Sequence, residues 1–235
     1  MISPVLKRTS ETMKAEYEGI SFERPGHATV RIVAEDGTVL YIDPWSEVID
    51  GDPGDADVVF VTHDDRDHYD PAAIQAVSSD RTVVAAYEAI ETADLNQDVT
   101  PLPATGETTV AGITVQPVPA YNWPDGEHVR ESGEPFHDEG EVIGLLLTID
   151  GVTIYYPSDT DFLDEHRDIE ADVVLPPIGG SYTMDRHEAA EMIEEIGPEL
   201  VLPVHYNTEA VPGLDTDAEA FKNEVETADT QVVLI

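Results

Sequence analysis

Apolar residues in the first half of the chain fall in short, β-branched runs broken by turn signals. Residues 20–22, 28–33 and 39–42 read as strands, and Glu35-Asp36-Gly37 between the last two is a hairpin signal, so the chain opens antiparallel. Residues 58–61 form a continuous apolar run suited to a strand covered on both faces, and Asp70-Pro71 then starts a helix over 72–77. A strand at 83–86, a short helix at 88–95 and a hairpin over 108–118, turning near Ala111-Gly112, come next. Strands 142–149 and 152–156 meet across Asp150-Gly151, the strongest hairpin signal in the sequence.

The last third alternates: a strand at 173–175, a helix over 185–196, a strand at 200–202, a helix over 218–225 and a strand at 231–234. Asp185 is the expected N-cap of the first of these helices, with Glu188 three positions on, and Gly197-Pro198 closes it. No internal repeat or low-complexity linker interrupts the pattern. Residues 122–140, rich in Gly, Pro and charge, form the longest irregular stretch, which reads as a functional lid or a mobile loop.

At 235 residues the chain is sized for one domain, residues 1–235, with a large core. Its charge changes the picture: 50 acidic residues against 11 basic ones give a formal charge of −39. Such a surface repels phosphate backbones and anionic lipid. Because 41% of the residues are hydrophobic, however, the chain is a folded protein with a carboxylate coat rather than an acidic disordered tail. Molar salt suppresses that self-repulsion, so a salt-loaded cytoplasm of the haloarchaeal type is expected. No apolar run approaches a membrane span, and residues 1–17 lack the apolar stretch of a signal peptide, so a soluble intracellular protein is expected. Cysteine is absent, which removes disulfides, thiolate chemistry and Cys-rich zinc sites. A metal must therefore sit on His, Asp or Glu.

Thr62-His63-Asp64-Asp65-Arg66-Asp67-His68 places two histidines and three carboxylates in seven residues directly after a buried strand. In so acidic a chain the aspartates alone are an ordinary solvated loop, and the histidines carry the signal. Position strengthens it. Asp43, Asp159 and His205 also fall just after predicted strands, and ligands repeated at that topological point converge on one sheet edge. Imidazole and carboxylate together suit zinc, whose open coordination position acidifies bound water.

Several blocks then resemble the metallo-β-lactamase superfamily: Gly26-His27-Ala28-Thr29, Ile42-Asp43-Pro44, the loop after Val61, Pro119-Ala120-Tyr121-Asn122, Ser158-Asp159-Thr160-Asp161, Gly179-Gly180-Ser181-Tyr182 and Pro203-Val204-His205-Tyr206. The likeness runs over roughly residues 21–208 and is nearest to lactonase-like metal-dependent hydrolases related to the ascorbate-6-phosphate lactonase and to short uncharacterised hydrolases beside it. It implies an α/β fold, a four-layer αββα sandwich. It also implies a first metal site of His63, Asp65 and His137, a second of Asp67, His68 and His205, and Asp159 between the two. Asp65 stands where the HxHxDH signature has its second histidine, and a charged oxygen there favours manganese over zinc. One or two divalent ions are expected, with zinc first and manganese or iron as alternatives. In the implied chemistry the metals polarise a carbonyl or phosphoryl oxygen, a bridging hydroxide attacks, and Asp67 holds that hydroxide as the catalytic carboxylate.

Asp43 is expected to hydrogen-bond a ligand such as His205 or to orient the signature loop. His27 either lines the site or is an inward histidine bonded to backbone, and is not counted as a ligand. His128, His166 and His187 read as solvent-facing, with His128 the substitute should His137 not be the ligand. Tyr121, Asn122, Tyr182 and Tyr206 either contact substrate or pack ordinarily, and Gly179-Gly180 is a weak anion signal. Three functions stay open: hydrolysis of a small lactone, phosphodiester or related ester, a metal-binding scaffold without turnover, and a nuclease. The last is disfavoured by the lack of a basic tract. A small-molecule substrate is expected, without membrane, and homo-oligomerisation is left open.

Overall fold

The computed structural model describes residues 7–8, 13–211 and 214–235, so the reading of residues 1–17 as leaderless falls largely outside it. Two sheets face each other. The first runs in chain order through β1 (Lys7–Arg8), β2 (Met13–Tyr17), β3 (Ile20–Gly26), β4 (Thr29–Val33), β5 (Val39–Ile42), β6 (Ala56–Val61), β7 (Ser78–Tyr87) and β8 (Val99–Leu102). It is antiparallel to β5 and parallel beyond it. The second contains β9 (Thr108–Val110), β10 (Ile113–Ala120), β11 (Val142–Ile149), β12 (Val152–Tyr156), β13 (Val173–Val174), β14 (Leu200–Val201) and β15 (Gln231–Val232). It is antiparallel through β12 and parallel afterwards.

Val30, Ile32, Leu40, Phe60, Leu145, Leu147 and Ile154 of the two facing sheets share one buried core. On the outside of the first sheet lies α1 (Pro71–Val77), capped by Asp70 and burying Ile74 and Val77. On the outside of the second, α2 (Arg186–Ile196) and α3 (Ala218–Val225) bury Met192, Ile193 and Phe221 against Tyr155, Val174 and Val201. The order helix, sheet, sheet, helix is the expected four-layer sandwich.

Local signals performed well where strands or caps were long. Ala111-Gly112 and Asp150-Gly151 turn their hairpins with positive φ. Asp185 caps α2, and Gly197 ends it in the left-handed conformation. Glu188 does not close a capping box: its carboxylate accepts from Phe162 N at 2.8 Å. The expected helix over residues 88–95 is a series of turns, because this stretch returns the chain to pair β8 in parallel with β7. Residues 122–140 are irregular, as expected, with one isolated bridge between Val129 and Pro135. Among the described residues, no helix is long and apolar enough to cross a membrane.

Candidate metal centre

In each sheet the ends of the parallel strands and the starts of their antiparallel neighbours share one edge. At the first sheet's edge, His27 precedes β4, Asp43 follows β5 and His63 follows β6. At the second, Asn122 follows β10, His137 precedes β11, Asp159 follows β12 and His205 follows β14. The two edges are tied together: Thr62 Oγ1 meets Ser158 Oγ at 2.7 Å, Tyr156 OH donates to Asp43 Oδ2 at 3.1 Å, and His205 N donates to His27 O at 3.0 Å. His27, Asp43, Ser158 and His205 all have φ between 46° and 63°. Non-glycine residues in that region are held by their surroundings at a cost of about 1–3 kcal/mol each, and such strain gathers at functional sites. Here it turns each side chain inward at the point where its strand ends.

The edge brings together every metal-ligand candidate named from the sequence. His63, His137 and Asp159 have ligand atoms within 4.8 Å of one another, and so do His27, Asp67, His68 and His205. Asp159, a member of the first group, also reaches the second, with Oδ1 3.4 Å from His68 Nε2 and Oδ2 3.1 Å from His205 Nε2. Asp65 Oδ2 stands 3.2 Å from His137 Nε2 and 3.9 Å from His63 Nε2, on a side chain that is 57% exposed. Asp67 Oδ2 accepts from His27 Nε2 at 2.7 Å and lies 3.8 Å from His68 Nε2 and 3.9 Å from His205 Nε2.

Three imidazoles are held from behind, through Nδ1, with Nε2 left to the centre: His63 by Thr62 Oγ1 at 3.0 Å, His68 by Asp43 Oδ2 at 2.8 Å and His137 by Asn122 Oδ1 at 3.1 Å. This is how metal-binding histidines are oriented. His63 Nε2, His68 Nε2 and Asp159 Oδ1 are buried without a hydrogen-bond partner. Buried polar groups are ordinarily satisfied, so nitrogen and oxygen donors left open in a converging set fit a divalent cation. Electrostatics agree. Burial opposes a charge on His68, yet Asp159 and Asp43 carry its pKa up to about 10. Asp159, although buried, is held well below the ordinary carboxylate range by His205 and His68. Burial lowers His63 well below the usual histidine value, helped by His68. Anionic oxygens thus draw protons onto imidazole in the place a cation would fill.

Asp43 bonds His68 and Thr62, so it anchors the signature loop, one of the roles expected of it, through a histidine other than His205. Other assignments are corrected. The ring of His27 is not bonded to backbone: its nitrogens meet Asp67 and Thr208 Oγ1, so it lines the centre, and burial brings its pKa down to about 4. His128 and His166 are buried, not solvent-facing, because polar flanking sequence conceals their partners: Asp161 Oδ1 at 2.7 Å from His128 Nδ1 and Pro119 O at 3.0 Å from His166 Nε2. His187 is exposed. Of the four candidate substrate contacts, Tyr182 lines the cavity, while Asn122 positions His137. Tyr121 packs against Trp123, and Tyr206 lies beneath the Arg24 guanidinium.

A cavity of about 300 Å³ opens over the cluster, lined by Trp45, Arg66 and Tyr182 beside Asp67, Asp159 and His205. Trp45 was not singled out from the sequence, although it follows Asp43-Pro44 after a recognised strand. Arg66 lay hidden inside the signature loop. The Tyr156 hydroxyl at Asp43 had no local signal, since the two residues are 113 positions apart.

A family model described as "Beta-lactamase superfamily domain" matches residues 23–205. A "UPF0173 metal-dependent hydrolase" of Methanosphaerula palustris is 34% identical over 218 residues, covering 90% of this chain and 94% of the relative. A similarly named protein of Thermococcus kodakarensis is 33% identical, covering 85% and 89%. Among solved structures, Igni18, a metallo hydrolase of the archaeon Ignicoccus hospitalis, superimposes with a TM-score of 0.70 at 25% identity over 89% of this chain and 92% of its own. With the family model spanning residues 23–205 and two relatives above 30% identity covering 90% and 85% of its length, the chain belongs to the beta-lactamase superfamily and is one of its metal-dependent hydrolases.

Proposed function

We propose that this hydrolase cleaves a small ester of the lactone or phosphodiester class at one or two divalent cations. His63, Asp65 and His137 would hold one cation, Asp67, His68 and His205 the other, and Asp159 would lie between them. The supporting observation is the convergence of His63 Nε2, His68 Nε2 and Asp159 Oδ1, all buried without a hydrogen-bond partner. When bound, a divalent ion there supplies Lewis-acid polarisation of the ester and acidifies water.

The chain's own groups divide the remaining work. Burial opposes the charge on Asp67, but its bond from His27 together with the nearby His68 and His205 keeps it ionised, so its carboxylate accepts a hydrogen bond from attacking water and orients it. Trp45 covers one wall of the cavity and limits water on that side. Asn122 and Asp43 keep His137 and His68 pointed at the centre. The set of nitrogen and oxygen donors suits zinc, and Asp65 shifts the first position toward manganese or iron. A formal charge of −39 weighs against a nucleic-acid substrate.

Metal analysis at high salt, combined with a panel of lactones and phosphodiesters, tests this reading. His63→Ala and His205→Ala should each lower bound metal and abolish turnover while the fold persists. Metal content and turnover retained in both would defeat it. Asp65→His should tighten zinc at the first position, and unchanged zinc affinity would remove Asp65 from the ligand set. Full metal occupancy without turnover of any ester would favour a binding scaffold, the reading to which Asp65's exposure points.

A further inference from the structure

Arg66 lies between Asp65 and Asp67 in the signature loop, and among the described residues lining the cavity it is the one arginine or lysine. Only 11 of the chain's 235 residues are basic. Its side chain is 85% exposed, and its ion-pair contact is Glu47 Oε1 at 3.8 Å, on a side chain itself 50% exposed. Pairs so long and so solvated contribute close to nothing, which leaves the guanidinium able to take another oxyanion. The same cavity is also lined by Trp45 and Val211. Asp67, Asp159 and His205, where the ester bond would sit, line it as well.

The charges explain what the arginine contributes. Asp65, Asp67 and Asp159 make the cavity strongly negative, and cations bound there cancel that charge only at the centre. An anionic group held away from the centre would find in Arg66 the one arginine or lysine among the described residues lining the cavity. A planar guanidinium also recognises carboxylate or phosphate through two parallel hydrogen bonds, which an ammonium cannot do.

Resting on the hydrolase reading above, we infer that Arg66 is a specificity-determining residue. It selects esters that carry an oxyanion, carboxylate or phosphate, within reach of its guanidinium. A neutral ester of the same length fits the cavity but gains nothing at Arg66.

Two esters of equal chain length separate the contributions: 4-nitrophenyl hexanoate, and the 4-nitrophenyl half-ester of adipic acid, which adds a terminal carboxylate. Metal-loaded wild type should favour the half-ester in kcat/KM. In Arg66→Ala the ratio of half-ester to hexanoate should fall about tenfold, as expected for loss of one charge-assisted contact. Arg66→Lys should fall between the two, and Arg66→Glu should lie below Ala. A ratio that is the same in wild type and Arg66→Ala overturns the inference. Calorimetric binding of adipate relative to hexanoate gives a readout independent of turnover and should show the same tenfold change. If neither ester is hydrolysed, the hydrolase reading fails for these esters, while the adipate-to-hexanoate binding ratio still decides the role of Arg66.

Discussion

Asp43 and His68 meet at 2.8 Å between Oδ2 and Nδ1, with neither side chain exposed. The same carboxylate accepts from Thr62 N at 2.9 Å, Thr62 Oγ1 at 2.7 Å and Tyr156 OH at 3.1 Å. Four donors stabilise one buried negative charge. The contact also keeps a proton on His68 Nδ1 and aims Nε2 at Asp159. The first sheet thereby sets the direction of a residue that works at the second.

Asp43→Asn isolates that function. Asparagine tolerates the φ of 46° at this position, so the fold should survive. An amide cannot accept from all four donors, however, and His68 loses its charged anchor. Metal affinity measured by chelator competition should fall about 10- to 100-fold. Asp43→Ala should go further, since it strands the buried donors and places an unsuitable residue at positive φ, with a loss of stability of about 3–5 kcal/mol. Unchanged metal affinity in Asp43→Asn would show that His68 is oriented by other contacts.

The sequence carried the strand ends of this site better than their partners. Val39 to Ile42 and Val58 to Val61 are unmistakable apolar runs, so Asp43 and His63 could be placed at a sheet edge without coordinates. Which imidazole Asp43 would meet depended on the parallel pairing of β5 with β6, a long-range choice that leaves no trace in local periodicity. β8 escaped notice because Pro101 interrupts a four-residue strand, which is tolerable only because β8 is the last strand of its sheet. The residues near 88–95 had helical composition, but the return to β8 left no length for a helix. His128 and His166 looked exposed because their neighbours in sequence are polar, whereas their neighbours in space are a buried carboxylate and a backbone carbonyl.

Glu188 gives stability a pH dependence away from the metal centre. Burial raises its pKa from 4.5 to about 7; its bond from Phe162 N opposes the rise, and the nearby Asp161 adds to it. The folded state therefore keeps a proton that the unfolded chain releases. The contribution of Glu188 to stability should be greatest below the unfolded value and should decline as pH climbs from about 4.5 to about 7, by about 2–3 kcal/mol, then level off. His128 slopes the same way: burial opposes its charge but Asp161 raises its pKa, so its contribution is lost as pH rises through the folded value. In Glu188→Gln, which can still accept from Phe162 N, denaturant melts should lose most of that slope. A slope identical to wild type would place the titrating group elsewhere.

Net charge makes the last prediction. With one base assigned to each acid, 50 − 11 leaves 39 acidic residues without a basic partner. Arg31 in fact bridges two of them, Glu23 and Asp55, each at 2.7 Å. Such bridges restrain the carboxylates only locally. The rest repel one another over a distance that shrinks from about 10 Å at 0.1 M salt to about 3 Å at 1 M. Unfolding lets those charges separate, so dilute buffer should favour the unfolded chain. Melting followed by circular dichroism should show Tm rising with potassium chloride, by roughly 2–4 °C for each kcal/mol of repulsion removed. Sucrose, which strengthens burial without screening charge, should not reproduce the full rise. A Tm independent of potassium chloride, with cooperative folding in dilute buffer, would mean that the apolar core between the two sheets outweighs the repulsion unaided.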